Sequence, residues 1–305
     1  MLSILIPIYN YNAVDLVHSL HAQAEKLSID FEILLLDDAS DNTLSREDNS
    51  VLKKLSKTKL IELPTKAGRA VARNFLAGQA EYDYLLFLDC DSEPLDDQFI
   101  ARYIPYCKGE SVVVCGGTAY KKISPPADFY LRWVYGTRSE TKSAEERNKN
   151  PNSRFSTFNF LIARKLFMSI RFNELLKNYG HEDTLFGFEL RKRGNVIQHI
   201  DNPLYHTGID TNEVYLEKTR QGVQNLKILL ENYPNRDLLI KDIRLLRVYT
   251  LIEKFKLTYV FYVNYLLFKN LMLLNFKSKY PNLFLFNLYK LNYLCYLKYN
   301  NIHDL

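Results

Sequence analysis

Asp89-Cys90-Asp91 follows the apolar run Tyr84 to Leu88 directly, so two carboxylates leave what reads as a buried strand together. Carboxylate oxygens are hard ligands that suit Mg²⁺ or Mn²⁺. Such an ion can bridge the two phosphates of a nucleotide diphosphate and offset charge on it as it leaves. A pair of solvated loop acids is the plain alternative. A second acidic pair, Asp37-Asp38, closes the apolar run Phe31 to Leu36. The Asp38 carboxylate could accept a hydrogen bond from a nucleobase N–H, or it could cap a turn or helix. Paired acids at a strand end also occur in phospho-acceptor receiver domains. That rival needs a lysine near the end of a later strand and a chain less than half this length.

Arg69 and Arg73 stand one helical turn apart after Gly68, spaced to face phosphates or a base from one side, or simply to be solvated. Asp183 sits beside Glu182 and among apolar neighbours that raise a carboxyl pKa, which suits a general base; a helix N-cap is the competing role. His206, just before Thr207-Gly208, could complete a metal shell, although a lone histidine is as readily structural.

These residues require a scaffold. Leu2 to Pro7 and Phe31 to Leu36 read as buried strands, with helical spacing between them from Ala13 to Leu27. Lys59 to Leu63 is a further strand, Gly68 to Ala80 a helix, and Tyr84 to Leu88 the next strand. Alternating strands and helices with short connections predict a mostly parallel sheet, whose ligand lies beyond the carboxyl ends of the strands. Both acidic pairs fall on that rim. Val112 to Cys115 reads as another strand ending in Gly116-Gly117, Glu140 to Arg154 as a mobile polar loop, and Ser156 to Phe167 as apolar. A helix begins near Asp183 and stops before Gly194; Asn195 to His199 is a short strand leading to Asn202 to His206.

Beyond Asp210 the pattern is helical. At 305 residues and 47% hydrophobic content the chain can bury a full core. Cys90, Cys107, Cys115 and Cys295 have no paired or metal-ligand spacing and no secretion signal precedes the first strand, which points to a reducing cytoplasm. The net charge of +5 is uneven: from Lys241 onward ten basic residues face three acids. A basic tail rich in Tyr, Phe and Leu suits an anionic membrane surface better than nucleic acid. Leu257 to Phe276 nears membrane-span length, but Asn264, Lys269, Asn270 and Asn275 argue for an amphipathic or buried helix, lying in the interface, over a simple span.

Taken in order, Leu5 to Asn10, Leu36 to Ser40, Lys66 to Asn74, Leu88 to Asp91 and His181 to Asp183 resemble the motif series of family 2 glycosyltransferases with the GT-A fold. The resemblance spans about residues 1 to 210. It implies an α/β fold, a Rossmann-like, mostly parallel central sheet flanked by helices, with residues 1–214 as the transferase domain and 215–305 as a helical, basic-aromatic extension. It implies that Pro7 and Tyr9 line the nucleotide pocket, Asp38 binds the base, Arg73 lies near the donor, Asp89 lies by the ribose or sugar, and Asp91 is the principal metal ligand with His206 a further one. Asp183 would be the base of an inverting, hexosyltransferase-type reaction. Ala39 departs from the family's frequent Gly and Lys66 from its frequent Asn, and neither removes a reacting group.

The implied partners are a nucleotide-sugar donor, a UDP-sugar by resemblance, and a glycan or lipid-linked acceptor used in cell-surface polysaccharide or glycolipid synthesis. The protein would be cytoplasmic and peripheral on the inner face of the plasma membrane, with Mn²⁺ or Mg²⁺ as cofactor. Two other classes fit the same residues: a non-catalytic nucleotide-sugar-binding module, and a membrane-surface interaction protein. Self-association into a homodimer is the other use for the tail.

Overall fold

The computed structural model describes residues 1–174, 176 and 179–300. The chain runs β1 (Leu2–Ile8), α1 (Val14–Lys26), β2 (Phe31–Asp37), α2 (Thr43–Ser50), β3 (Thr58–Glu62), α3 (Arg69–Gln79), β4 (Tyr84–Leu88) and β5 (Ser92–Pro94). It continues through β6 (Val113–Cys115), β7 (Thr118–Ala119), α4 (Tyr130–Tyr135), α5 (Ala144–Asn148), β8 (Asn159–Ala163), α6 (Arg164–Ile170), α7 (Glu182–Lys192), β9 (Gln198–His199) and β10 (Leu204–His206). Only helices follow: α8 (Asn212–Asn232), α9 (Arg236–Asp242), α10 (Arg244–Lys254), α11 (Thr258–Phe276) and α12 (Leu283–Tyr299).

Two compact units result. The first holds residues 1–121, 140–177 and 182–208; the second holds 122–139, 178–181 and 209–305. In the first, a seven-stranded sheet runs β3-β2-β1-β4-β8-β6-β9 and a three-stranded sheet runs β5-β10-β7. β1 pairs in parallel with β2 and β4, and β2 with β3, while β8 lies antiparallel to β4 and β6. This is the mostly parallel α/β architecture that the sequence predicts.

The central strands are mostly apolar because both their faces are covered. Ile4, Ile6 and Ile8 pack with Leu16, Val17 and Leu20 of α1 on one face, and Leu5 packs with Ala72 and Leu76 of α3 on the other. Side chains that alternate along a strand therefore serve two core layers. Phe87 of β4 stacks on Phe160 of β8 at 4.8 Å between ring centroids, and Phe186 of α7 stacks on Phe172 at 4.5 Å. These rings fix the start of α7 against the sheet.

The stretch from Glu140 to Arg154 is not a mobile loop. It contains α5, capped by Ser143, whose hydroxyl accepts from the Glu146 N–H at 3.2 Å. Arg147 of that helix is buried. Its five N–H donors all find acceptors: the carbonyls of Lys142, Cys115, Gly116 and Ile200, and His199 Nδ1. Accepting at Nδ1 makes Nε2 the protonated nitrogen of His199, and it donates to the Pro151 carbonyl at 2.9 Å. Burial drives the His199 pKa down to about 4, so this histidine is a neutral structural link.

In the second unit α11 and α12 pack together. Tyr265, Met272 and Phe276 are buried on one side of α11, and Asn292 of α12 donates to Asn264 at 2.6 Å. The other side of α11 is also apolar, with Val260, Leu267, Leu271 and Leu274 exposed. The helix is therefore neither amphipathic nor fully buried, contrary to expectation.

Candidate active site

The turn after β4 is built by backbone pairing. The Asp89 N–H donates to the Phe158 carbonyl at 3.2 Å, and three residues on, β5 pairs antiparallel with β10 so that Ser92 lies opposite His206. That register sets His206 Nε2 3.2 Å from Asp91 Oδ2. The Thr207 N–H donates to the Asp91 carbonyl at 2.9 Å, and the Thr207 hydroxyl meets that of Tyr11 at 2.9 Å. Gly208 lies so close that a Cβ there would come within 2.6 Å of Asp91 Cβ and 2.8 Å of Oδ2, so no other residue fits without displacing the carboxylate.

The His206 ring packs between Tyr120 and Phe158, and its Nδ1 is buried without a partner. Its polar contact is thus made through Nε2 toward Asp91. Burial alone pushes the Asp91 carboxyl up. The hydrogen bond and charge of His206, with the Arg69 charge, outweigh that and hold it below the ordinary carboxylate value.

The two arginines of α3 part company. Arg69 is exposed, whereas Arg73 is 1% exposed and bridges two acids far apart in sequence. Its Nη2 donates to Asp89 Oδ1 at 2.7 Å and its Nη1 to Glu182 Oε1 at 3.4 Å. A buried guanidinium needs such anionic partners, and its fork geometry lets one side chain serve both. Glu182 begins α7, so Arg73 joins the Asp89-Cys90-Asp91 turn to the element that carries Asp183. In the sequence Glu182 stands out only as the neighbour of Asp183; in the fold it is the acid through which α7 is anchored.

Asp183 lies in the first turn of α7, one residue inside the helix, and does not occupy the N-cap. Its Oδ1 accepts from the Thr184 N–H at 2.6 Å and the Thr184 hydroxyl at 3.3 Å. Burial, reinforced by the charge of Glu182, raises its pKa to about 7 against the weaker opposing pull of Thr184 and Arg73. A carboxyl tuned to that value exchanges protons near neutral pH.

The other wall comes from the loops after β1 and β2. Asp38 is buried, and its Oδ1 and Oδ2 accept from the backbone N–H groups of Ala67 at 2.6 Å and Gly68 at 2.9 Å, tying β2 to the start of α3. Asp37 Oδ1 accepts from the Ser40 N–H at 2.7 Å, and Ala39 between them adopts a left-handed φ of 55°. Asn10 cross-links the two loops. Its N–H donates to Ser40 Oγ at 2.8 Å, and its Oδ1 accepts from the N–H groups of Asp41 and Asn42 at 3.0 Å each.

Pro7 sits in β1 opposite Leu36, and Tyr9 just beyond the strand carries the Lys66 ammonium 3.6 Å above its ring centroid. The Cys90 thiol meets the Tyr9 backbone, so the end of β1 borders the acidic turn. Burial and the flanking carboxylates of Asp91 and Asp89 push that thiol well above its ordinary pKa, which removes it as a nucleophile at neutral pH. Among the described residues, no group of three or more His, Cys, Asp or Glu side chains gathers as a metal shell.

The family model described as glycosyl transferase family 2 matches residues 3–171. An uncharacterized glycosyltransferase of Haemophilus influenzae is 24% identical over 195 residues, covering 63% of this chain and 72% of that protein. A teichoic acid poly(glycerol phosphate) polymerase of Staphylococcus epidermidis is 27% identical over 232 residues, covering 74% of this chain but only 31% of the polymerase. Among solved structures, the mannosyltransferase of Pyrobaculum calidifontis in complex with GDP-Man and Mn²⁺ superposes with a TM-score of 0.52 at 17% identity, over 76% of this chain and 64% of that one. The family match covers more than half of the sequence and the sheet order carries the same architecture, so this chain belongs to glycosyl transferase family 2 and is a glycosyltransferase of the GT-A fold.

Proposed function

We infer that the chain transfers a sugar, with inversion, from a nucleotide-diphosphate donor to a hydroxyl of a cell-surface polysaccharide or glycolipid precursor, with a UDP-sugar as the first donor to test. The observation that carries this reading is the Arg73 bridge, which joins the donor-side acid Asp89 to the segment holding a carboxyl tuned to about 7. A merely nucleotide-binding module has no need of that carboxyl. Relationship to a teichoic acid polymerase supports a cell-surface acceptor. We assign transfer to residues 1–214 and acceptor or surface attachment to residues 215–305. The cytoplasm at the inner face of the plasma membrane is where such a donor and a lipid-linked acceptor meet, and all four cysteines are free thiols.

Asp91 and His206 fit a divalent ion. Their donor atoms, a carboxylate oxygen and an imidazole nitrogen, stand 3.2 Å apart at the end of β4, and both are of the type that holds such an ion. They would hold Mn²⁺ or Mg²⁺, which when bound offsets charge on the departing diphosphate.

Asp183 takes the proton of the acceptor hydroxyl. The freed oxygen bonds to the anomeric carbon from the face opposite the diphosphate. The bond from that carbon to the diphosphate oxygen breaks with its electron pair, and configuration inverts. Arg73 keeps Asp89 turned toward the sugar or ribose, while Pro7 and Tyr9 flank the base and Asp38 reaches it with the lone pairs that Ala67 and Gly68 leave.

A thermal-shift panel of UDP-, GDP-, CMP- and dTDP-sugars with Mn²⁺, Mg²⁺ or EDTA tests the donor assignment, because a ligand that binds only the native state raises its apparent stability. Stabilisation by one nucleotide class that EDTA abolishes supports the reading, and absence of any shift across the panel overturns it.

A further inference from the structure

A helix that carries large apolar side chains on two opposite faces is normally covered on both. α11 is not. Tyr265, Met272 and Phe276 face α12, while Val260, Leu267, Leu271 and Leu274 form a line on the opposite side and are 59%, 68%, 65% and 68% exposed. Their spacing of seven, four and three residues is that of one helical stripe, and four exposed large aliphatic groups in line exceed the scattered single residues of an ordinary surface.

Charge identifies what covers it. No Asp or Glu occurs between Lys254 and His303. Lys254 and Lys256 precede the stripe and Lys277 and Lys279 follow it, and of these only Lys277 has an ion-pair partner among the described residues, Glu213 at 2.6 Å. Exposed aromatic side chains stand beside the outer lysines, Phe255 next to Lys256 and Tyr280 next to Lys279. An apolar line with cations and aromatics at both ends matches a lipid surface, where acyl chains take the leucines and anionic headgroups take the lysines. A second copy of the chain matches poorly, because it would press the same acid-free, cationic segment against itself.

We propose that the outer face of α11 docks in the plane of an anionic lipid bilayer, seating Val260, Leu267, Leu271 and Leu274 below the headgroups with the flanking lysines at headgroup level. The helix lies along the surface and does not cross it. Among the described residues no single helix is long and apolar enough to span a membrane; α10 and α11 reach that length and apolarity only as a pair, bent by 116° at the break between them, and insertion of that pair as a broken span is the rival outcome. The proposal deepens the location assigned above and is independent of the transfer chemistry.

The test is sedimentation of the full-length protein with vesicles of phosphatidylcholine alone and of phosphatidylcholine mixed with phosphatidylglycerol. Binding is expected on the mixed vesicles and is expected to weaken with added salt. The double variant Leu267→Glu/Leu271→Glu should lose at least about tenfold in partitioning. Lys256→Gln/Lys279→Gln should lose roughly tenfold and show a flatter salt dependence. Unchanged thermal melting and an unchanged circular-dichroism spectrum confirm that both variants fold. Wild-type protein that ignores both vesicle types, or variants that bind as wild type does, would overturn the proposal. So would a wild-type dimer that Leu267→Glu/Leu271→Glu converts to monomer without any vesicle binding, which assigns the face to self-association. No donor or acceptor enters the assay, so failure of the transferase reading and failure of this one are separable.

Discussion

Arg73 donates to Asp89 across 2.7 Å from a position that is 1% exposed, and the same guanidinium reaches Glu182 at 3.4 Å. One buried cation thus couples the acidic turn after β4 to the first turn of α7. Removing it strands two carboxylates in a poorly solvated setting. Arg73→Met is expected to cost about 3 kcal/mol or more in stability and to lower kcat/KM by at least about 100-fold through lost alignment. Arg73→Lys keeps the charge but not the fork, so it should recover part of the stability and little of the activity. Denaturant unfolding with steady-state kinetics separates the two effects. Equal loss of stability and activity in both variants would reduce Arg73 to a packing residue.

The raised pKa of Asp183 fixes a pH dependence. As the proposed base, Asp183 would act when deprotonated, so kcat/KM should rise with pH on an acidic limb centred near the group's value of about 7. A limb at the ordinary carboxyl value of 3.8 would show that some other group controls the rate. Stability carries the opposite trend. Between 3.8 and about 7 the folded protein holds a proton that the unfolded chain has released, so this group makes folding less favourable as pH rises through that window. Asp183→Asn removes the effect, and its melting temperature relative to wild type should be higher at the alkaline end of the window than at the acid end.

Ala39 holds a φ of 55°, a conformation that costs an alanine about 1 kcal/mol and glycine almost nothing. Ala39→Gly should therefore stabilise the protein by up to about 0.6 kcal/mol after the extra freedom of the unfolded glycine is subtracted. Chemical denaturation measures it. A loss of stability would mean the Ala39 methyl makes contacts that outweigh its backbone strain.

Arg147 satisfies four carbonyls and His199 from a buried position, so Arg147→Lys, with fewer donors and no planar fork, should destabilise by about 2 to 3 kcal/mol. Donor affinity measured well below the melting temperature should be unchanged. A selective loss of donor binding would move Arg147 into the site.

The strands from Leu2 to Leu88 were legible because a parallel sheet covered on both faces writes its inner strands as mostly apolar runs, and the edge strand β3 still keeps Leu60-Ile61 at its centre. The acids at their ends were legible for the same reason, since a polar residue that ends such a run must emerge at the rim. The Asp91–His206 pair was readable only as two separate residues. It depends on the pairing of β5 with β10, three residues each, whose register is set by contacts more than 100 residues apart. Arg147 was lost inside a run of charges, although Ser143-Ala144-Glu145-Glu146 carries the capping-box pattern that announces a helix. The apolar character of α11 was plain in the sequence. Which of its faces α12 would cover was not, because both present large hydrophobic side chains.

The central claim is a division of labour between Asp91, which would bind the donor through a metal, and Asp183, which would act only in transfer. Calorimetric titration of UDP in the presence of Mn²⁺ into wild type, Asp91→Asn and Asp183→Asn tests it most directly. Asp91→Asn is expected to weaken Mn²⁺-dependent UDP binding by at least about tenfold, as loss of a principal ligand should. Asp183→Asn should bind within about twofold of wild type while transferring no sugar. Undiminished binding by Asp91→Asn, or turnover by Asp183→Asn, would contradict the claim.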